Sequence, residues 1–129
     1  MDDHYQALRV LMMPRDTNPV GTIFGGVLLS YIDQAGAIGA IHEVVKAGGR
    51  PPAVVTLAIN QVEFKHPVLV GDVVTLFTRL VRLGRTSVTM EVRVEAERSG
   101  ASLHVTQAEV VYVGVDLSCP DRRTRPLLG

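Results

Sequence analysis

Thr22-Ile23-Phe24-Gly25-Gly26-Val27-Leu28-Leu29-Ser30-Tyr31-Ile32-Asp33-Gln34-Ala35-Gly36-Ala37-Ile38 reads as a glycine-rich turn feeding a helix. The helical pattern runs to about Lys46, ahead of the breaker Gly48-Gly49-Arg50-Pro51-Pro52. Val27, Leu28, Leu29, Ile32, Ile38, Ile41, Val44 and Val45 leave no clean polar face, so the helix is expected to be buried. Asp33 sits in its middle. A carboxylate there is costly unless it is hydrogen-bonded, paired or wetted by a cleft. At about 100° per residue its helical neighbours are Leu29, Ser30, Gly36, Ala37 and Ala40, most of them small. A partner or a substrate is therefore expected to come close at this point.

The flanking segments follow a different period. Tyr5 to Met13 is expected to be a strand ended by Pro14, followed by the turn-rich loop Arg15 to Gly21. After Pro52 the apolar residues alternate. Val55, Leu57 and Ile59 share one phase, and Val62 and Phe64 share the other, so a bulge is expected around Asn60-Gln61. His66-Pro67 should end that strand. Val73 to Leu83 is apolar on both faces in places and is expected to be a central, covered strand. Gly84-Arg85-Thr86 connects it to a strand with Val88, Met90, Val92, Val94 and Ala96 on one face and charged or polar residues on the other. Leu103 to Val115 is the last strand, and the basic stretch from Cys119 to Pro126 is expected to be a surface arm. Strand, long helix and four strands on short turns make an α+β fold, with one antiparallel sheet against one helix. The apolar surplus of the helix calls for a further cover, which a symmetric partner can supply.

The whole chain narrows the function. Its 129 residues are expected to form a single domain, 1–129. The 13 Lys and Arg are balanced by 13 Asp and Glu, so no global field recommends nucleic acid or an anionic membrane as partner. Cys119 is the only cysteine, which excludes an internal disulfide framework and a cysteine-based zinc site. The acidic start Met1-Asp2-Asp3-His4 lacks a signal-peptide layout, and Ser30, Asp33 and Gln34 break the longest apolar run, so a cytoplasmic protein is expected.

Candidate chemistry concentrates around the helix. Gly21, Gly25 and Gly26 bracket its N-terminus, where unpaired N–H groups can receive an anion or a developing oxyanion. The spacing matches neither the dinucleotide fingerprint nor a phosphate loop, and a tight turn alone would also need the glycines. Asp33, about two turns further on, could act as a general base for water or as a nucleophile if desolvation raised its pKa; a structural carboxylate is the alternative. Asn18 can donate to an acyl oxygen or close an Asx turn ahead of Pro19. His42 lies half a turn round from Asp33, so these two cannot act together. No histidine pair has metal-ligand spacing, and His4, His42 and His104 read as structural or surface, with His66 best placed to line a cleft. Arg85-Thr86-Ser87, with Lys65-His66, could hold phosphate or pantetheine groups, or form a solvated turn.

Taken together, Asn18-Pro19-Val20-Gly21-Thr22-Ile23-Phe24-Gly25-Gly26 and Asp33-Gln34-Ala35-Gly36 resemble the hotdog-fold acyl-CoA thioesterases, in particular the bacterial short- and medium-chain cytoplasmic acyl-CoA hydrolases. The resemblance continues through Val54 to Ala58, Phe64 to Val68, Val70 to Val74, Gly84 to Ser87, Val115-Asp116 and Arg123 to Pro126. It implies a five- or six-stranded antiparallel sheet wrapped round the long helix. It implies a homodimer with sheets joined edge to edge, often assembled into a hexamer as a trimer of dimers. Asn18 of one subunit and Asp33 of the other would act on one acyl-CoA thioester, with Gly25 and Gly26 polarising its carbonyl. Phe24, Thr56 and His66 would line the substrate cleft, and Arg85, Thr86 and Ser87 would lie along the coenzyme A arm. Neither a metal nor a redox cofactor is implied. Two other classes share such a cleft. A hydratase or dehydratase would need a histidine where Phe24 stands, and a non-catalytic acyl-CoA-binding module would need neither Asn18 nor Asp33.

Overall fold

Val88, Met90, Val92, Val94 and Ala96, the apolar phase of the cleanest alternation in the sequence, are each fully buried. They line the inner face of an antiparallel sheet, and one helix lies across that face. The computed structural model describes residues 4–50, 53–118 and 123–128. The elements are β1 (Tyr5–Leu11), α1 (Gly25–Lys46), β2 (Val54–Asn60), β3 (Val73–Leu83), β4 (Ser87–Arg98) and β5 (Ala101–Gly114), with a short 3₁₀ turn at Pro14–Asp16 before the helix. The sheet order is β1-β3-β4-β5-β2, so β3 is interior, as its two-faced apolar pattern predicts. Met1 to Asp3, Pro51-Pro52 and the start of the basic arm, Cys119 to Arg122, lie outside the described residues.

The helix contributes Leu28, Ile32, Ala35, Gly36, Gly39, Ala40 and Val44 to the core, a stripe at helical spacing. Two mid-helix glycines, each costing about 1 kcal/mol in propensity relative to alanine, are explained by close approach. A Cβ at Gly39 would overlap the Thr78 side chain on β3, and one at Gly36 would overlap the Tyr112 hydroxyl on β5. The small residues near Asp33 thus make room for the chain's own sheet, where the sequence suggested a partner or substrate. The other side of the helix still exposes Ile38 and Val45.

The stretch after residue 53 differs from expectation. β2 ends at Asn60 rather than running on to His66, and its irregularity lies between Thr56 and Ala58 rather than at Asn60-Gln61. Leu57 is the extra residue. It shifts the inward phase from Val54 and Thr56 to Ile59, and leaves Val55 and Leu57 exposed on an edge strand. Alternating Val, Leu and Ile cannot reveal which phase is buried when a bulge interrupts them. From Gln61, which takes φ 40°, the chain turns off as a loop. That loop is strapped to β5 by Thr106 Oγ1 donating to Glu63 O at 2.6 Å and Lys65 N donating to Val105 O at 2.8 Å.

The described part of the basic arm, Arg123 to Pro126, lies largely exposed at the surface as expected, and it is also tied to the sheet together with the residue that follows it. Val115 bridges Thr124, Leu127 is buried, and Leu127 N donates to Arg85 O at 3.0 Å. Gly114 permits this, since a Cβ there would meet Arg125 O and Leu127 Cδ2 at 2.8 Å. The outer face of the sheet is charged and paired, with Arg79–Glu91 at 3.0 Å and Arg93–Glu95 at 3.2 Å. Arg98 clasps the buried Asp72 at 2.8 Å and also donates to Pro67 O at 3.0 Å.

Candidate active site

The loop before α1 is built around Asn18. Its Oδ1 accepts from Val20 N and Thr22 N, each at 3.0 Å, and its Nδ2 donates to Thr22 Oγ1 at 2.7 Å. The Asx turn expected as the bland alternative is therefore present. Two backbone donors orient the amide, and Nδ2 keeps a second hydrogen for another acceptor. The helix opens at Phe24. Val27 N and Leu28 N both return to Phe24 O, at 3.1 and 3.4 Å. Among the described residues, the Gly25 and Gly26 N–H groups have no backbone acceptor, as expected of a first helical turn. Phe24 is half exposed beside them.

Phe64 completes this end and was missed as a site residue. Its ring edge lies 3.3 Å from where a Cβ of Gly25 would stand. Only the fold brings the two together, since they sit on separate loops. His66 follows it, exposed, with Nδ1 at 2.9 Å from His104 O. A carbonyl only accepts, so Nδ1 carries the proton and Nε2 is the ring nitrogen left to face the surroundings.

Asp33 belongs to a second cluster. Thr56 Oγ1 donates to its Oδ1 at 2.6 Å, and Tyr112 Oη donates to its main-chain carbonyl at 2.6 Å. Thr56, assigned to the substrate cleft from the sequence, thus acts directly on the carboxylate. Burial, followed by the nearby Asp33 charge, pushes the Tyr112 phenol far above its ordinary range, so it remains a protonated donor. Thr56 pairs with Tyr112, and Tyr112 pairs with Val88, in one row across β2, β5 and β4. The β3–β4 turn begins just past that row. Thr86 O accepts from Gly114 N at 2.8 Å, which brings Arg85, Thr86 and Ser87 to the Asp33 end of the sheet with Arg85 exposed.

The sequence-predicted residues therefore fall into two groups. Asn18, Phe24, Gly25, Gly26 and His66 gather at the helix start, while Asp33, Thr56 and the Arg85 turn gather further along. Eight residues of helix separate Gly25 from Asp33, an axial distance of about 12 Å. One thioester needs its donors and its base each within about 3 Å of its reacting atoms, a closer spacing than this axial distance. The remaining histidines are occupied structurally. The rings of His42 and Tyr5 stack at 3.9 Å, and His104 Nδ1 lies 2.8 Å from Glu95 Oε2. Among the described residues, no group of three or more His, Cys, Asp or Glu side chains is arranged to hold a metal ion. No helix among the described residues is long and apolar enough to cross a membrane. A groove of about 750 Å³ opens beside Gln61, Glu63, Lys65 and Glu109; of the candidate site residues singled out from the sequence, Lys65 alone lines it, away from Asn18, Asp33 and the Arg85 turn.

Residues 20–103 match the model of the Thioesterase superfamily. The chain belongs to this family. Among curated thioesterase relatives, it is 43% identical over 125 residues to the acyl-CoA thioester hydrolase YciA of Salmonella typhimurium, covering 93% of this chain and 87% of the relative. Among solved structures it resembles Cj0915, a hexameric hotdog fold thioesterase of Campylobacter jejuni. The TM-score there is 0.81 at 40% identity, with 94% of this chain and 88% of that chain covered. It also resembles HI0827, a hexameric broad specificity acyl-coenzyme A thioesterase, with TM-score 0.79 at 36% identity, covering 95% of this chain and 80% of that one. The fold is the thioesterase hotdog: one long helix against a five-stranded antiparallel sheet.

Proposed function

We propose that this protein hydrolyses acyl-CoA to a free carboxylic acid and coenzyme A in the cytoplasm, in sites formed between two copies of the chain. The observation that carries this reading is a carboxylate presented on the long helix, held by Thr56, in a chain 43% identical over nearly its whole length to an acyl-CoA thioester hydrolase. Thr56 occupies Oδ1, and Oδ2 of Asp33 is the oxygen that would accept a proton from water. The water oxygen then bonds to the thioester carbon, and the carbonyl oxygen takes the charge. Gly25 and Gly26 N–H groups, with the spare Asn18 amide hydrogen, receive that charge. One such donor is worth roughly 3–4 kcal/mol of barrier. Collapse breaks the carbon–sulfur bond, and the coenzyme A thiolate leaves with the proton. Thioester and water are the only reactants, and coenzyme A is part of substrate and product rather than a cofactor.

A second copy supplies what one chain lacks. The 12 Å gap along the helix, estimated from its rise, is closed if the Asn18 group of one subunit faces the Asp33 group of the other. The exposed apolar residues Val55 and Leu57 on the β2 edge, and Ile38 and Val45 on the helix, are surfaces such a partner would cover. A homodimer, assembled into a hexamer as in Cj0915 and HI0827, is the assembly proposed. Arg85, Thr86 and Ser87 would lie along the coenzyme A arm, and Phe24 and His66 along the acyl and pantetheine path.

The test is thiol release from a panel of acyl-CoAs of increasing chain length, with wild type and Asp33→Ala side by side. Wild type releases thiol and Asp33→Ala does not, at unchanged thermal stability. Mixed subunits of Asn18→Ala and Asp33→Ala regain activity that neither parent shows. Wild-type turnover by Asp33→Ala, or no recovery on mixing, would count against the roles and the shared site respectively.

A further inference from the structure

We propose that Tyr112 is a positioning residue for Asp33, acting on the helix main chain from the interior of the sheet. The inference rests on Asp33 being the reacting carboxylate, as read above. Tyr112 is 1% exposed, and its hydroxyl donates to the Asp33 carbonyl at 2.6 Å. That carbonyl lies within an α-helix, where the Ala37 N–H is its ordinary partner. Helix formation does not require a second donor, and this one arrives from a residue 79 positions away. The fit is specific to the hydroxyl. A Cβ on Gly36 would overlap the phenol oxygen and lie 3.0 Å from ring Cζ. The glycine therefore makes a notch that admits the hydroxyl to the helix backbone, against the helix propensity of the position.

The geometry bears on the carboxylate because of what stands opposite. Thr56 and Tyr112 are direct partners across β2 and β5. One holds Oδ1 of Asp33, and the other holds the carbonyl of the same residue. With both ends tied, the bearing of Oδ2 is set within the short side chain between them. The two ties differ in stiffness. β2 is irregular just after Thr56, whereas Tyr112 stands in an unbroken stretch of the β4–β5 register and is paired on both sides within its own chain. Tyr112 therefore joins the Asp33 turn to the rigid part of the sheet, and Thr56 trims the carboxylate against it. Misplacing a reacting group by about 1 Å can cost on the order of 100-fold in rate.

Tyr112→Phe in the full chain keeps the ring and removes the hydroxyl. The expected result is a kcat for acyl-CoA hydrolysis lower by about 10- to 100-fold, with KM within about twofold and cooperative unfolding retained. Amide exchange at Ala37 should speed up in the same variant. Placing 4-aminophenylalanine at position 112, which restores a donor, should recover most of the lost kcat. Wild-type kcat in Tyr112→Phe overturns the proposal, and so does a loss that the restored donor fails to recover. If wild type itself released no thiol from any acyl-CoA, the catalytic reading would fall by itself. Faster exchange at Ala37 would then still support the main-chain clasp, and unchanged exchange would overturn it.

Discussion

Asn18 makes its side-chain hydrogen bonds within four residues of itself, whereas Asp33 is held by Thr56 and Tyr112, 23 and 79 residues away. The donor half of the candidate site is thus a local object. Its glycines, its Asx turn and its unpaired helix N–H groups need only a short stretch of chain to take shape. The carboxylate half exists only after β2 has paired with β5 and the helix has settled on the sheet. Local organisation suits groups that must present fixed N–H donors, because a helix N-terminus orients them at no further cost. A half-buried carboxylate needs partners that single out one oxygen, and those come from the sheet.

This contrast orders the expected effects of substitution. Asp33→Ala should have the largest, a loss of about 10²- to 10⁴-fold or more in kcat from removing the base. Asn18 comes next and separates two roles. Asn18→Ala removes the loop acceptor and the spare donor together, with an expected loss of about 10²- to 10³-fold. Asn18→Asp keeps an oxygen for Val20 and Thr22 N–H but removes the donor. If Asn18 serves the reaction, Asn18→Asp should retain the thermal stability of wild type and still lose kcat. If it serves only the loop, Asn18→Asp should turn over like wild type.

Thr56→Val is expected to lower kcat by about tenfold with little change in KM, since it releases Oδ1 while leaving Asp33 in place. Arg98→Ala should affect turnover least and stability most. It strips the buried Asp72 of its strongest partner and should lower the urea midpoint of unfolding. Asp72 is held below the ordinary carboxylate range chiefly by its hydrogen bonds from Arg98. A depressed folded-state value stabilises the native chain above the unfolded value of 3.8 and loses that contribution as pH falls through the folded value. The stability gap between wild type and Arg98→Ala should therefore be full at about pH 7 and shrink at about pH 3, read by urea unfolding at both.

Where sequence reading succeeded and where it failed follows the same division. The helix bounds came from the glycine-rich turn and the Gly48-Gly49-Arg50-Pro51-Pro52 breaker, the buried phase of β4 from alternation sustained along the strand, and the interior place of β3 from apolar residues on both its faces, all signals that local physics enforces. The end of β2 and the site of its bulge lacked such a signal, because an edge strand with exposed Val55 and Leu57 gives no contrast between its faces. Phe64 escaped notice as a site residue because its contact with Gly25 joins two loops. Tyr112 did so because its hydroxyl binds a main-chain atom that carries no side-chain signature.

The sequence by itself determined an α+β chain with a glycine-led helix, an awkward carboxylate two turns in, and a motif resembling the thioesterase family. Hydrophobic period and turn chemistry act over a few residues, so they can be read in one dimension. The tertiary structure decided what Gly36 is for, which oxygen of Asp33 is occupied, and that Tyr112 reaches the main chain of Asp33. Those outcomes depend on strand register and on the distance of helix from sheet, which are set when remote segments pack together.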